Sequence, residues 1–419
     1  MPRREWAALA VILAFVATRG LLGALVNPPF NGPDERGHVL EIAAVLHPDV
    51  AGGERVSQRQ PRPYYLGAAL YLRLLGIPVD PEHLDWRALL PLRLASVLMG
   101  TLTTAAAYLT ARYALRSDPS LALAAALVAG LAPAHQFIMA SAANDSLSIA
   151  LAAASAAAAI VTVTRGWSRN RALVLVGTAI AATATKSTGW GALAIAAAVG
   201  VAALWRHQQW TIPGRWLAGA GVAGVLLGLG LVQLVVRLAA GSFFVTLQLP
   251  FLLPAAWGLP ANYLLGPSGL SETFRTFWVQ PDYGVAALPA ANLAAALLVL
   301  VALVGGVRLA FGIQESPVRR GPALVLIGSV AVQLMLIGYR YSLAVEKDVL
   351  LGGAAQAKFV LPALPAIAVL LVVGWAGSLP VVQRRWLPAV ALVIMLALDA
   401  ATLLPFIWEH YQWLELRPA

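Results

Sequence analysis

Cysteine is absent from this 419-residue chain, which excludes disulfides and thiolate metal sites. Charge is scarce: Asp, Glu, Lys and Arg make up 11% of the residues, against about 25% in an average soluble domain. Lysine is scarcest of all, with only Lys186, Lys347 and Lys358 among 29 basic residues. There is no glycine-rich nucleotide-phosphate loop, no low-complexity tail and no soluble repeat. What fills the chain is apolar: hydrophobic residues reach 60% and the mean hydropathy is +0.76. Apolar runs of about 20 residues, each long enough for a ~30 Å hydrocarbon core, recur near 6–26, 87–113, 120–140, 145–164, 172–186, 188–205, 216–240, 285–310, 321–339, 359–376 and 387–407. The fold class expected is all-α: a polytopic membrane protein with about eleven transmembrane helices, forming one membrane unit over residues 1–419.

The net charge of +10 would suit a nucleic-acid partner, but its distribution removes that need. The N-terminus and the even-numbered loops carry fourteen arginines, among them Arg3, Arg4, Arg112, Arg165, Arg319 and Arg384, against the acids Glu5, Asp118 and Glu315. The rest of the chain is nearly neutral. Short arginine-rich loops mark the cytoplasm, so the N-terminus is expected there, with no nucleic acid involved. The first apolar run continues to Val26, is interrupted by Arg19 and lacks a small-x-small cleavage site, which favours a retained helix over a secretory signal.

The longer loops then fall outside: 27–86, 241–284 and 340–358. In the first, Pro33-Asp34-Glu35 reads as a helix start, with acids where the helix dipole favours them, and that helix should run to about His47. Glu35 and His38 share a face at three residues' spacing. Tyr64 to Gly76 is apolar but too short to span, so it should lie in the interface, with Tyr64 and Tyr65 at headgroup level.

Asp34 and Glu35 could serve only as helix-start acids, or could take a proton from a hydroxyl or hold a divalent cation beside a phosphate. His38 could join them as a ligand or remain a polar interfacial residue. Asp145 opens the fourth run as a cap or as a second acid facing the same cavity. Lys186 and Lys358 stand at outer helix ends, as candidate phosphate ligands or snorkelling side chains. Arg62, Arg93 and Arg340 are further outer cations that salt bridges to nearby acids would also explain. Asp399, inside the last run, is read as structural.

Together these residues resemble the GT-C superfamily of membrane glycosyltransferases over most of the chain. The features that carry the resemblance are the acidic motif Pro33-Asp34-Glu35 with His38 after the first run, the interfacial Pro63-Tyr64-Tyr65-Leu66, the pair Arg93-Leu94, and the step Thr185-Lys186-Ser187-Thr188-Gly189. Within that superfamily the chain is most similar to a bacterial group with a P-D-E-x-x-H motif. That group also tends to show an Asn/Tyr-Asp-Ser/Ala-Leu step, here Asn144-Asp145-Ser146-Leu147, and an aromatic S-F-W segment, here Thr276-Phe277-Trp278. Its Q-G-R-Y-x-L-P segment appears as Gln356-Ala357-Lys358-Phe359-Val360-Leu361-Pro362, where Lys in place of Arg keeps charge but gives up bidentate phosphate binding.

The resemblance implies a bacterial inner-membrane transferase acting on the outer face. A polyprenyl-phosphate-linked sugar would be the donor, a lipid or glycan the acceptor, and membrane lipids the surroundings. Asp34 would be the base of an inverting displacement, supported by Glu35 or His38, with Mg2+ or Mn2+ as a candidate cation on Asp34, Glu35 and His38. Arg93, Lys186 and Lys358 would neutralise the leaving phosphate, and Arg62, Tyr64, Tyr65, Asp145, Trp278 and Arg340 would line the substrate site. About a dozen residues follow the last apolar run, so the acceptor is expected to reach the membrane-proximal cavity itself. Two rival readings are a lipid or glycan transporter and a non-catalytic subunit of an envelope polysaccharide complex. The absence of paired inverted halves weighs against a transporter.

Overall fold

The computed structural model describes residues 2–47, 61–79, 86–115, 118–208, 263, 269–278, 289–346 and 356–415. Among them there is no strand, only an isolated bridge between Leu115 and Val318. The helices are α1 (Arg3–Val26), α2 (Glu35–Leu46), α3 (Arg62–Leu74), α4 (Trp86–Ala114), α5 (Pro119–Leu131), α6 (Pro133–Met139), α7 (Asn144–Arg165), α8 (Arg169–Thr185), α9 (Trp190–Gln208), α10 (Leu270–Trp278), α11 (Pro289–Ala310), α12 (Arg320–Glu346), α13 (Leu364–Ser378) and α14 (Leu387–Glu415).

Among the described residues seven helices are long and apolar enough to cross a membrane, or eight if α5 and α6 count as one bent span. The expected continuous run 120–140 is therefore broken. Pro133 has no N–H to give and pushes Ala132 into an extended backbone, and the two halves meet at 59°. The expected runs 172–186 and 188–205 are α8 and α9, separated by a 3-10 turn at Ser187–Gly189. The run 216–240 and most of the loop 241–284 lie outside the described residues.

Local sequence sets the helix ends. Asp118 caps α5 through the amide of Ser120 at 3.0 Å, with Pro119 at the first helical position, where its missing N–H costs nothing. Ser168 caps α8 through the amide of Arg171 at 3.4 Å. In the bundle, α7 presents buried Ala150, Ala152, Ala153, Ala157 and Ala159, the small side chains that let helices approach closely in lipid. The intramembrane acid Asp399 is paired: Arg19 of α1 forks onto it at 2.5 and 2.8 Å, joining the first and last helices. That pairing also accounts for the arginine that interrupts the first apolar run. Near the start of α1, buried Glu5 accepts from Arg112 at 2.8 Å and from the Tyr108 hydroxyl of α4.

Candidate active site

Between α1 and α2 the chain turns sharply. Phe30 and Asp34 both take left-handed backbone, at φ 62° and 58°, which non-glycine residues adopt uncommonly. Asp34 occupies the N-cap position of α2 but makes no side-chain cap. Its carboxylate is instead exposed and accepts from Lys358 Nζ at 2.6 Å. The capping explanation for Asp34 thus fails. Burial pushes its carboxyl up, but the ammonium of Lys358, with the charges of Lys186 and His38, brings it below the ordinary value of 3.8.

Glu35 has a different fate. It is fully buried, and Arg93 of α4 forks onto it at 2.8 and 2.7 Å. The amides of Ala142 and Gly32 donate to the same carboxylate at 2.8 and 3.3 Å. Arg93 spends its remaining donors on the carbonyls of Ala24 at 2.9 Å, Asn27 at 2.6 Å and Pro28 at 2.7 Å. Those carbonyls belong to the end of α1 and its exit, where a helix leaves acceptors unmet and favours a cation. Gly32 fits because a Cβ there would sit 2.6 Å from Ser141 Oγ. The Glu35–Arg93 pair therefore ties α1, α2, α4 and the approach to α7 together. It corrects two expectations: neither Glu35 nor Arg93 has a group left for a proton, a metal or a phosphate.

His38, one turn into α2, is buried. Its Nδ1 hydrogen-bonds the Tyr65 hydroxyl at 2.9 Å, its ring stacks on Tyr65 at 5.9 Å, and it meets Tyr64 edge-on at 6.2 Å. Tyr64 and Tyr65 of α3 thus seat the histidine. Burial, reinforced by the Lys186 charge, lowers His38 from 6.5 to about 4, so the ring is neutral near pH 7. Its Nε2 is buried without a partner. Tyr64 is pushed up, by burial first and then by the Asp145 and Glu35 charges.

Asp145 follows the first residue of α7 and is buried. Its Oδ2 accepts from Lys186 Nζ at 2.6 Å, while Oδ1 has no partner. Lys186, the C-cap of α8, also donates to Asn144 Oδ1 at 3.3 Å. The ammoniums of Lys186 and Lys358 both approach the ring of Phe359, at 5.9 and 5.4 Å from its centroid. Lys358 sits in a 3-10 turn, Ala357–Phe359, which Thr276 of α10 anchors by accepting from the Ala357 amide at 2.8 Å. The structure thus brings together Asp34, His38, Tyr64, Tyr65, Asp145, Lys186 and Lys358, whose two acids and two lysines balance in charge.

Other expected residues stand elsewhere. Trp278 is buried against Phe277, ring to ring at 4.9 Å, and packs into the hydrophobic core. Arg62 is exposed at the start of α3. Arg340 lies in α12, with its side chain outside the described residues. The metal reading of Asp34, Glu35 and His38 does not fit the donor set, because Glu35 is committed to Arg93 and two amides. Among the described residues no three His, Asp or Glu side chains converge as metal ligands. Thr276 entered the sequence reading only as part of the aromatic segment, and Gln333 on α12, which donates to the Phe359 carbonyl at 2.5 Å, escaped it. A lone amide inside an apolar run was the available signal for Gln333.

No protein-family model and no curated protein matches the sequence. Solved structures do match in fold. ArnT from Cupriavidus metallidurans, bound to undecaprenyl phosphate, superposes with a TM-score of 0.51 at 16% identity, over 96% of this chain and 65% of that one. The archaeal oligosaccharyltransferase AglB from Archaeoglobus fulgidus, in complex with an inhibitory peptide and a dolichol-phosphate, gives 0.53 at 12% identity, over 96% and 55%. The chain thus spans less than two thirds of the length of either. The fold is that of a polytopic, all-α membrane protein. It is similar in overall helical fold to these two membrane proteins.

Proposed function

We propose that this chain is a glycosyltransferase of the bacterial plasma membrane. It moves a sugar from a polyprenyl-phosphate donor to a lipid or glycan acceptor on the extracytoplasmic face. The observation that carries the reading is the arrangement around Asp34: an exposed carboxylate on Lys358, a second ammonium from Lys186 on the same aromatic ring, and partnerless atoms of His38 and Asp145. The fold supports it, since one similar structure holds undecaprenyl phosphate and another dolichol-phosphate. The arginine asymmetry between loops supports a cytoplasmic N-terminus and an outward-facing site.

In the resting protein Lys358 keeps Asp34 ionised. A donor phosphate entering between Lys186 and Lys358 shares the Lys358 ammonium, loosening its hold on Asp34 and raising that carboxylate's basicity. Asp34 takes the proton of the acceptor hydroxyl while the acceptor oxygen bonds to the anomeric carbon. The bond from that carbon to the phosphate oxygen breaks, its electron pair leaves with the polyprenyl phosphate, and the configuration inverts. The two lysines stabilise the departing phosphate. Neutral His38 and the free Asp145 oxygen meet hydroxyls of the bound sugar or acceptor, satisfying groups that are costly to leave buried and unpaired. Glu35 and Arg93 act only by holding the turn that presents Asp34.

The test is turnover of a panel of polyprenyl-phosphate sugars by purified protein, wild type beside Asp34→Asn, with and without a chelator. Wild type should consume at least one donor, and Asp34→Asn should fall by about 10²–10⁴-fold while staying folded. Loss of activity on chelation would reinstate Mg2+ or Mn2+. Folded wild type that consumes no donor with acceptors present would overturn the reading in favour of a non-catalytic envelope subunit or a transporter.

A further inference from the structure

The two lysines stand on separate pieces of backbone. Lys186 precedes the 3-10 turn between α8 and α9, and Lys358 lies in the 3-10 turn ahead of α13. Each ammonium is drawn to its own acid, Asp145 or Asp34, and like charges favour separation. Gln333, buried within the apolar run of α12, bridges these turns. Its Nε2 donates to the carbonyl of Thr188, two residues past Lys186, at 3.3 Å, and to the carbonyl of Phe359, next to Lys358, at 2.5 Å. A primary amide has two N–H donors at a fixed angle and no charge, so it can serve two carbonyls at once. A serine or threonine offers one donor, and a lysine would add a third cation beside the other two. On its far side Gln333 Oε1 faces Gly191, where a Cβ would lie 2.3 Å away. A side chain at position 191 would therefore displace the amide.

We propose that Gln333 is a positioning residue that sets the spacing of Lys186 and Lys358, and thereby the affinity of the site for a polyprenyl phosphate. This rests on the functional reading above. A preorganised pair of cations meets the phosphate without rearrangement, whereas a loosened pair must first be gathered.

The measurement is the Kd of purified full-length protein for undecaprenyl phosphate, beside the thermal midpoint of each variant. Gln333→Leu should raise Kd about tenfold in the folded fraction. Gly191→Ala, which displaces the amide without touching either lysine, should weaken binding in the same direction. In a Gln333→Ala background, with no amide left to displace, Gly191→Ala should change Kd no further. Should Gln333→Leu fail to fold, the cycle of Gly191→Ala and Gln333→Ala decides the matter alone. A lowered thermal midpoint with unchanged Kd in these variants would make Gln333 merely structural and overturn the proposal. Folded wild type without affinity for undecaprenyl phosphate would overturn both the positioning role and the functional reading, whereas equal binding by wild type and variants overturns the positioning role alone.

Discussion

Replacing Arg93 by lysine separates two roles that an arginine beside an acid can play. In the structure Arg93 donates to five acceptors: both oxygens of Glu35 and the carbonyls of Ala24, Asn27 and Pro28. Lysine keeps the charge but has three donors and no planar fork. At least two buried acceptors therefore go unmet, at about 1–3 kcal/mol each, so Arg93→Lys should cost about 2–6 kcal/mol. Arg93→Ala should be at least as severe, because it leaves all five acceptors unmet and, in addition, the Glu35 charge uncompensated, a broken buried pair alone costing about 3–5 kcal/mol. The assay is thermal unfolding of purified protein in detergent, read alongside the affinity of the folded fraction for undecaprenyl phosphate. The expected result is a large fall in midpoint for both variants. An Arg93→Lys protein as stable as wild type, but with weakened phosphate binding, would refute the clamp and return Arg93 to the phosphate site.

Two further outcomes follow from the same geometry. His38 is lowered from 6.5 to about 4 by burial and the Lys186 charge, so the unfolded chain binds its proton first. Its contribution to stability is complete above about pH 6.5 and declines as pH drops toward 4, by about 3 kcal/mol at 1.36 kcal/mol per pKa unit. His38→Phe should flatten that part of the pH–midpoint curve, and an unchanged slope would locate the titrating group elsewhere. The cysteine-free background allows a clean topology test: Ser187→Cys should react with an impermeant maleimide in intact cells and Ser316→Cys should not, while the reverse pattern would invert the orientation.

The sequence by itself determined that this is a helical membrane protein and approximately where most spans fall, and its arginine-rich short loops carried the expectation of orientation. These are local properties, because a run of apolar residues must be buried in lipid wherever it occurs and arginine counts in short loops need no folding to read. Even the break at Pro133 was written in the residue type, although the run around it reads as continuous. Only the tertiary structure decided which charge meets which. Asp34 and Glu35 are neighbours in sequence, yet the left-handed backbone at Asp34 sends one carboxylate to Lys358 in the open while the other is buried on Arg93. Trp278 looked like a ligand-facing aromatic and is core. Gln333 looked like an isolated amide and bridges the turns of two lysines. Partner choice of this kind depends on which donors remain after every helix end and buried carbonyl has been satisfied, and that is a property of the whole packed chain rather than of any one segment.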